Sequence, residues 1–256
     1  MACLGRPTGR VARRTYPGVV ADTGRLARAW EEQARNWIAW ARRPGFDSWW
    51  HLRERFMALV PAPGVATLDL GCGEGRISRD LRARGHRVHG VDTSPTLVGA
   101  AREADPGGAY VVAEGAALPF ADRTFDVVVA HNVLMDVEDL AGTVVEVARV
   151  LRPAGRLCVS ITHPVVNVTR PASGDPRAPR VMARSYFTRE RFEVEQVLDG
   201  SRMVWNGWYR PLEDYTRALE DAGLLLEALR EPDPDWVTND RDRQVPWHLW
   251  LRARSV

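Results

Sequence analysis

The feature that most constrains the fold of this chain is a turn with closely spaced glycines directly after an apolar run. The segment LDLGCGEGR at residues 68–76 brings Gly71, Gly73 and Gly75 immediately behind the apolar run VATLDL at 65–70. Because glycine has no Cβ, such a turn lets the backbone approach a ligand closely. The amide groups that open the following helix then face a carboxylate or a phosphate. A turn of this kind alone is also compatible with an ordinary strand-to-helix connection.

The chain beyond residue 65 alternates short apolar runs with polar segments of helical pattern. This rhythm predicts an α/β fold with a doubly wound, mostly parallel sheet covered by helices on both faces. Two closing apolar runs predict an antiparallel pair at the sheet edge, so that the last strand is antiparallel. The predicted strands are 65–70, 87–92, 109–114, 125–134, 156–163, 224–231 and 246–255. The predicted intervening helices are 75–84, one that starts at Ser94-Pro95, 137–150 and 211–222.

Composition changes along the chain predict five segments. Apolar residues at helical spacing indicate two amphipathic helices, 25–42 and 46–60. Prolines and a glycine interrupt the alternating rhythm between 164 and 210, where we expect a partly β insert that acts as a lid. The predicted organisation is a flexible N-terminus (1–24), a helical cap (25–62), a ligand-binding core (65–163), an inserted substrate lid (164–210) and a completion of the core sheet (211–256).

Bulk composition excludes several classes of function. The net charge of +2 argues against a nucleic-acid-binding protein, and no apolar run is long enough to span a membrane. Cys3, Cys72 and Cys158 are far apart, which predicts neither a disulfide framework nor a metal site. The basic N-terminus lacks the apolar core of a signal peptide. We therefore expect a cytoplasmic protein that acts on a small molecule, without metal, membrane or nucleic-acid partners.

Two acidic residues lie at informative distances from the glycines. Asp92 ends the second predicted strand, about twenty residues after the glycine turn, where a carboxylate can accept hydrogen bonds from both hydroxyls of a ribose. Asp69 lies at the end of the first predicted strand, where it can meet an ammonium group. The G-x-G-x-G spacing also differs from the G-x-G-x-x-G of dinucleotide binders. An acid this close to the turn suits a positively charged ligand better than a pyrophosphate.

Four segments together resemble a known family. LDLGCGEGR, VHGVDTSP, AEGAALPFADRTFDVVVAHNVL and VEVARVLRPAGRLCVSITHP, in this order, resemble the class I S-adenosyl-L-methionine (SAM)-dependent methyltransferases. The subgroup that they resemble has an LPF-x-D-x-x-FD run before the fourth strand. The resemblance covers roughly residues 65–165 and continues weakly through 210–224. It implies a Rossmann-like fold, a helical cap over the cofactor, SAM as cofactor and S-adenosyl-L-homocysteine as product.

The resemblance also implies which residues hold the cofactor. Asp92 would bind the ribose, Asp69 the amino group, and Glu114 the adenine, although the two residues after Glu114 depart from the family's commoner small-then-acidic pair. The glycines would pack against the methionine part, and the end of the fourth strand would lie beside the methyl group. The implied set is Asp69, Gly71, Cys72, Gly73, Gly75, Asp92, Thr93, Glu114, Gly115, His131 and Asn132.

Methyl transfer is an in-line displacement that needs an aligned acceptor, and for a hydroxyl acceptor a general base. His163 and His131 end the fifth and fourth predicted strands, and both are candidate catalytic residues. The position of His163 is equally compatible with a role as a general base and with hydrogen bonding to nearby backbone groups. For His131, a pocket wall is favoured over a base. Asp136 either binds a substrate amine or caps the next helix, and the cap is favoured.

The ten tryptophans form the other informative set. Trp30 and Trp37 lie on one helical face, which predicts helix-packing core. Trp205, Trp208 and Tyr209 lie in the insert, where little else can build a core, so we expect them to line the substrate pocket.

The sequence therefore predicts a SAM-dependent methyltransferase that acts on an oxygen or nitrogen atom of a small molecule. Three alternatives stay open at this point. The first is a methyltransferase acting on RNA or protein, although the amino-methyltransferase tetrad is replaced by AHNV after the fourth strand. The second is a SAM-binding protein that transfers no methyl group. The third, a nicotinamide-dependent oxidoreductase, is opposed by the glycine spacing. The methyl acceptor and the oligomeric state are not determined by the sequence.

Overall fold

The computed structural model describes residues 24–175, 177–198, 200–237 and 242–256. The predicted flexible N-terminus lies outside these residues except for Gly24, and so does Cys3. The strands are β1 Thr67–Leu70, β2 Val88–Asp92, β3 Ala109–Val112, β4 Phe125–His131, β5 Leu151–Thr162, β6 Thr169–Pro171, β7 Arg180–Met182, β8 Glu190–Leu198, β9 Ser201–Tyr209, β10 Leu224–Arg230 and β11 His248–Ser255. The helices are α1 Arg25–Ala41, α2 Ser48–Met57, α3 Arg76–Ala83, α4 Pro95–Ala104, α5 Leu140–Val150, α6 Pro164–Val168 and α7 Leu212–Asp221.

The main sheet has seven strands in the order β10-β11-β5-β4-β1-β2-β3. The neighbours from β3 to β5 pair in parallel, whereas β11 is antiparallel to both β5 and β10. The prediction of a doubly wound, mostly parallel seven-stranded sheet with an antiparallel last strand is confirmed. In such a sheet, ligands bind outside the carboxyl ends of the parallel strands.

Both faces of the central strands β1 and β4 are buried, which explains their continuous apolar runs. In β4, Val127 and Val129 belong to the core on the face that α2 and α3 cover. Val128 and Ala130 belong to the core on the opposite face, which α5 and α7 cover. Because successive side chains of a strand point to opposite faces, a strand covered on both sides needs an apolar residue at every position.

Capping side chains determine where α4 and α5 begin, after the loops at the carboxyl edge of the sheet. The Ser94 side chain accepts a hydrogen bond from the Leu97 amide at 3.1 Å and starts α4. Asp139 accepts from the Gly142 amide at 2.8 Å and starts α5. The predicted helix start at 137, with Asp136 as its cap, is therefore wrong, because Asp139 lies three residues further along and takes that role. Asp136 is left in the loop between β4 and α5.

A second difference concerns the start of β5. The sequence predicts a break at Pro153 and Gly155, yet β5 begins at Leu151, directly after α5. The chain turns within the strand, where Ala154 has a φ of +61°. A Cβ on Gly155 would lie 2.8 Å from the Arg152 carbonyl oxygen, so this tight passage needs a glycine.

The described part of the insert, residues 164–210, lies outside the main sheet. It contains α6 and two antiparallel pairs, β6 with β7 and β8 with β9. The longer pair runs from the register of Glu190 with Tyr209 to that of Leu198 with Ser201. The β9 strand packs on α1 through Trp205, so the insert and the helical cap meet over the same edge of the sheet.

Phe56 of α2 offers a test of this packing. Its side chain is 0% exposed and contacts Trp49, His131 and Trp250. We expect Phe56→Ala to lower the free energy of unfolding by about 3–5 kcal/mol, because it removes apolar contacts and leaves a cavity. Urea unfolding followed by circular dichroism measures this change. The control Phe187→Ala, at a residue 71% exposed, should cost under about 1 kcal/mol, and equal losses in both variants would contradict the packing described.

Candidate active site

A cavity of about 740 Å³ opens at the carboxyl ends of the parallel strands. Its walls include residues 71–74 of the glycine loop (residues 71–75), residues that follow β2 and β4, one face of α1, and parts of the insert. This volume lies within the range of about 300–1,000 Å³ that is usual for small-molecule sites. The position is the one that the topology of the sheet predicts for a ligand.

The glycine loop needs glycine for both conformation and space. Gly71, Gly73 and Gly75 have φ values of +66°, +55° and +83°. A Cβ on Gly71 would lie 2.3 Å from Cγ2 of Val133, and one on Gly73 would lie 3.1 Å from Nε1 of Trp37. Side chains at these positions would therefore be strained and would crowd the cavity wall.

The carboxylate of Asp92 holds this loop in place. Its Oδ2 accepts a hydrogen bond from the Gly73 amide at 2.9 Å, and its Oδ1 accepts one from the Ser94 amide at 2.9 Å. Burial raises the pKa of this carboxyl group, while the backbone donors act in the opposite direction. Asp92 also lines the cavity, where the second lone pair of each oxygen is available to the hydroxyls of a ribose.

Asp69 lies behind the loop and is not among the residues that line the cavity. Ser78 Oγ donates to its Oδ2 at 2.6 Å, whereas its buried Oδ1 has no hydrogen-bond partner among the residues that the structure describes. Burial raises the pKa of this carboxyl group to about 7. A buried acceptor without a donor is costly, so this oxygen fits a donor such as the amino group of a ligand or a bridging water.

The cap helix α1 is fastened over the loop by polar contacts. Glu31 accepts hydrogen bonds from the Ser94 hydroxyl and, at 2.5 Å, from the Thr96 hydroxyl at the start of α4. At the other end of α1, Arg42 donates to the buried Glu74 at 3.0 Å. These contacts place one face of α1 along the cavity.

Four tryptophans form an aromatic wall. Trp205 of β9 makes edge-to-face contacts with Trp30, Trp37 and Trp40 of α1, at centroid distances of 6.3, 5.8 and 5.6 Å. All four line the cavity. The sequence interpretation of Trp30 and Trp37 as helix-packing core misses this role, because core packing and cavity lining produce the same amphipathic pattern.

Trp208 and Tyr209 differ in their surroundings. Tyr209 lines the cavity and stacks on Phe192 at 4.7 Å. Trp208 is not among the lining residues. Its indole N–H donates to Glu138 at 3.1 Å, and the guanidinium groups of Arg191 and Arg210 lie 5.0 and 5.1 Å from its ring. These contacts attach the insert to the loop after β4.

The two candidate catalytic histidines lie in different places. His131 lines the cavity between the rings of Trp49 and Phe56, at 4.8 and 4.9 Å, and burial lowers its pKa well below the usual range. A neutral wall residue fits these surroundings. His163 is outside the cavity lining: its Nδ1 accepts from the Val165 amide at 3.0 Å and its Nε2 lies 2.9 Å from Glu231. The geometry supports a cap of α6, and the catalytic role of His163 stays a prediction.

The other predicted cofactor residues divide between the wall and its surroundings. Cys72, Thr93, Gly115 and Asn132 line the cavity together with the glycines 71 and 73, whereas Glu114 and Gly75 are not among the lining residues. Asn132 has a φ of +55°, and its side chain accepts from the Ser160 hydroxyl at 2.9 Å. Asparagine tolerates this left-handed conformation, which turns the chain into the loop that carries Asp136.

Asp136 lines the cavity at the end near the insert. Its carboxylate makes no hydrogen bond or salt bridge to any of the residues described. Burial raises its pKa well above the usual range, and the charge of Arg210 opposes this shift. The insert side of the cavity also includes Asn167, Arg180 and His248, which no sequence pattern singles out.

Comparison with known proteins agrees with this geometry. Residues 68–159 match a family described as a methyltransferase domain. The structure of a SAM-dependent methyltransferase from Mesorhizobium loti superimposes with a TM-score of 0.66 at 26% identity, covering 81% of this chain and 98% of that one. Residues 68–159 therefore form a methyltransferase domain, and the fold around them is similar to that of a SAM-dependent methyltransferase.

Two curated relatives are similar to part of this chain. Demethylmenaquinone methyltransferase from Beutenbergia cavernae is 37% identical over 116 residues, which cover 45% of this chain and 48% of the relative. Malonyl-[acyl-carrier protein] O-methyltransferase from Pseudescherichia vulneris is 30% identical over 169 residues, which cover 65% of this chain and 63% of the relative. The chain thus spans between about half and two thirds of the length of these relatives. No helix in the described ranges is long and apolar enough to cross a membrane.

The raised pKa of Asp69 predicts a dependence of stability on pH. Between its ordinary value of 3.8 and about 7, the folded protein holds a proton that the unfolded chain releases, so stability falls as pH rises through this window. Asp69→Asn removes this titration. We expect the variant's stability relative to the parent to increase from pH ~5 to pH ~8 by on the order of 2–4 kcal/mol. Urea unfolding of both proteins at the two pH values measures the difference, and a constant difference would contradict a raised pKa.

Proposed function

We propose that this protein is an enzyme that transfers the methyl group of SAM to an oxygen or nitrogen atom of a small molecule. One observation carries the proposal. A glycine loop in left-handed conformation, fixed by the Asp92 carboxylate, opens onto a cavity at the carboxyl edge of a parallel sheet. This arrangement occurs in a chain whose residues 68–159 match a methyltransferase domain.

The residues present fit the cofactor. The backbone of the glycine loop offers close approach to its methionine part, and Asp92 offers two carboxylate oxygens to its ribose. Thr93 and Gly115 form the wall beside the position proposed for the adenine. The unpartnered oxygen of Asp69 is the proposed partner of the cofactor's amino group, through a water if not directly. When bound, the cofactor supplies a sulfonium methyl group that is open to in-line displacement.

Enclosure of the cavity supports a small acceptor. The aromatic wall of α1 and β9 covers one side, and such closure excludes water and positions the reacting atoms. In the part of the chain that the structure describes, two arginines line the cavity, and each is paired with an acid: Arg76 with Asp47 at 2.7 Å and Arg180 with Asp242 at 3.2 Å. A polyanion such as RNA would compete with these acids for the same cations. The small-molecule and carrier-bound substrates in the names of the two curated relatives support the same choice.

Catalysis by this chain is proposed to consist mainly of positioning. His131, with its pKa lowered by burial, stays neutral and forms a wall that adds no positive charge beside a sulfonium. The aromatic faces of Trp37 and Trp205 provide a dry environment for the transfer. The cytoplasmic location and the absence of a nucleic-acid partner stay predictions.

Two substitutions test the proposed cofactor site. Asp92→Ala removes both ribose acceptors and the anchor of the glycine loop, and Gly73→Arg places a side chain in the cavity at a φ of +55°. We expect each variant to bind SAM and S-adenosyl-L-homocysteine at least about 100-fold more weakly than the parent in calorimetric titrations.

Gly99→Arg provides the matched control for Gly73→Arg. Nothing lies within 4 Å of a Cβ built on Gly99, and its φ is not positive, so the parent's affinity should be retained. Circular dichroism confirms that each variant is folded. A folded parent that binds neither compound would overturn the proposed function, and retained affinity in Asp92→Ala would refute the proposed site.

A further inference from the structure

One acidic side chain of the cavity, Asp136, has no role in the proposed cofactor site. It lies on the cavity wall in the loop between β4 and α5, and it takes no hydrogen bond or salt bridge from the described residues. It does not cap α5, because Asp139 has that role. A partly buried carboxylate without a protein donor binds water or a ligand group that supplies one.

The neighbouring Arg210 does not neutralise Asp136 by contact. Its guanidinium donates to four backbone carbonyl oxygens of the same loop, those of Leu134, Met135, Val137 and Glu138, at 2.8–3.4 Å. Asp136 and Arg210 form no salt bridge, although the charge of Arg210 favours the ionised carboxylate. Arg210 therefore fixes the loop around Asp136 and leaves the carboxylate oxygens to the cavity.

Aromatic rings surround the Asp136 carboxylate, and Gly207 packs so closely against it that a larger residue would not fit. A Cβ on Gly207 of β9 would lie 2.5 Å from Oδ1 of Asp136 and 2.9 Å from Cζ of Phe192. The ring of Phe192 stacks on Tyr209 at 4.7 Å, and both rings line the cavity. Aromatic rings beside a carboxylate favour a cation over an anion.

The loop of Asp136 also reaches the cofactor loop. Val133, three residues before Asp136, contacts Gly71 so closely that a Cβ there would overlap its side chain. A ligand group bound at Asp136 would therefore share one cavity with the proposed cofactor. Among the described residues, the other charged groups that line this cavity are Asp92, Asp47, Glu74, Arg76, Arg180 and Asp242, so acids outnumber arginines there.

We propose that the methyl acceptor is a basic amine on an apolar or aromatic body, and that Asp136 binds its ammonium group beside Phe192 and Tyr209. This inference rests on the proposed function and narrows its acceptor from oxygen or nitrogen to nitrogen. Asp136 takes one proton from the bound ammonium, and the nitrogen lone pair then forms the bond to the methyl carbon. The electron pair of the broken carbon–sulfur bond stays on sulfur, which leaves a methylammonium, a thioether and protonated Asp136.

The test compares matched probes on the protein loaded with S-adenosyl-L-homocysteine. The amines are benzylamine, phenethylamine and hexylamine. The affinity of each is measured by calorimetric titration and compared with those of the alcohol and the carboxylate of similar size. We expect at least one amine to bind at least about tenfold more tightly than its alcohol and its carboxylate. We expect Asp136→Asn to lose this preference, since the amide cannot balance a buried ammonium.

Two control variants separate this site from general damage. Asp139→Asn makes the same change on the same loop and retains a good helix cap, so it should bind the amine like the parent. Gly207→Ala should weaken amine binding by filling the space beside Oδ1 of Asp136. The control Gly174→Ala, also in the insert, adds a Cβ with no neighbouring atom within 4 Å, so this variant should bind the amine as tightly as the parent.

The outcomes are distinct from those of the proposed function. A parent that fails to bind S-adenosyl-L-homocysteine overturns the proposed function and with it this inference. If the cofactor product binds, three results overturn the amine site alone: no amine binds at millimolar concentration, amines show no preference over alcohols and carboxylates, or the preference survives in Asp136→Asn.

Discussion

The hydrogen bonds from the Gly73 and Ser94 amides to Asp92 are the interaction on which the site depends. One carboxylate joins the glycine loop after β1 to the start of α4 after β2, at 2.9 Å on each side. The parallel pairing of β1 with β2, continued by the Cys72 amide on the Val91 carbonyl oxygen at 2.9 Å, brings the two segments together. These bonds hold Gly73 and the start of α4, so contacts within the protein position the glycine loop.

The cap and the insert are assembled on this frame. Glu31 bonds to the first turn of α4, immediately after Asp92, so α1 takes its position from the same segment that fixes the glycine loop. Trp205 then packs on three tryptophans of α1, which ties the position of β9 to that of the cap. Strand pairing therefore positions the glycine loop and α4, α4 positions the cap helix α1, and α1 positions β9 of the insert.

The sequence predicts the part of the molecule that local patterns determine. Apolar runs give the strands, Ser94 and Pro95 give the start of α4, and the glycine spacing with Asp92 gives the position of the cavity. The roles of Trp37 and Trp40 are not predictable in this way, because burial against a helix and burial against a cavity select the same residues. The sequence leaves Asp136 open between a substrate amine and a helix cap and favours the cap, whereas the observed backbone gives the cap to Asp139.

The loop between β4 and α5 is where the parts of the protein converge. Glu138 accepts from the Leu26 amide of the cap at 3.2 Å, from Arg191 of β8 at 2.8 Å and from Trp208 of β9 at 3.1 Å. Because the cap and the insert attach to the loop that carries Asp136, we expect a change in either to alter the end of the cavity near Asp136 while β1 and β2 keep the glycine loop in place. A fixed cofactor cradle with separately adjustable walls lets one sheet serve different acceptors.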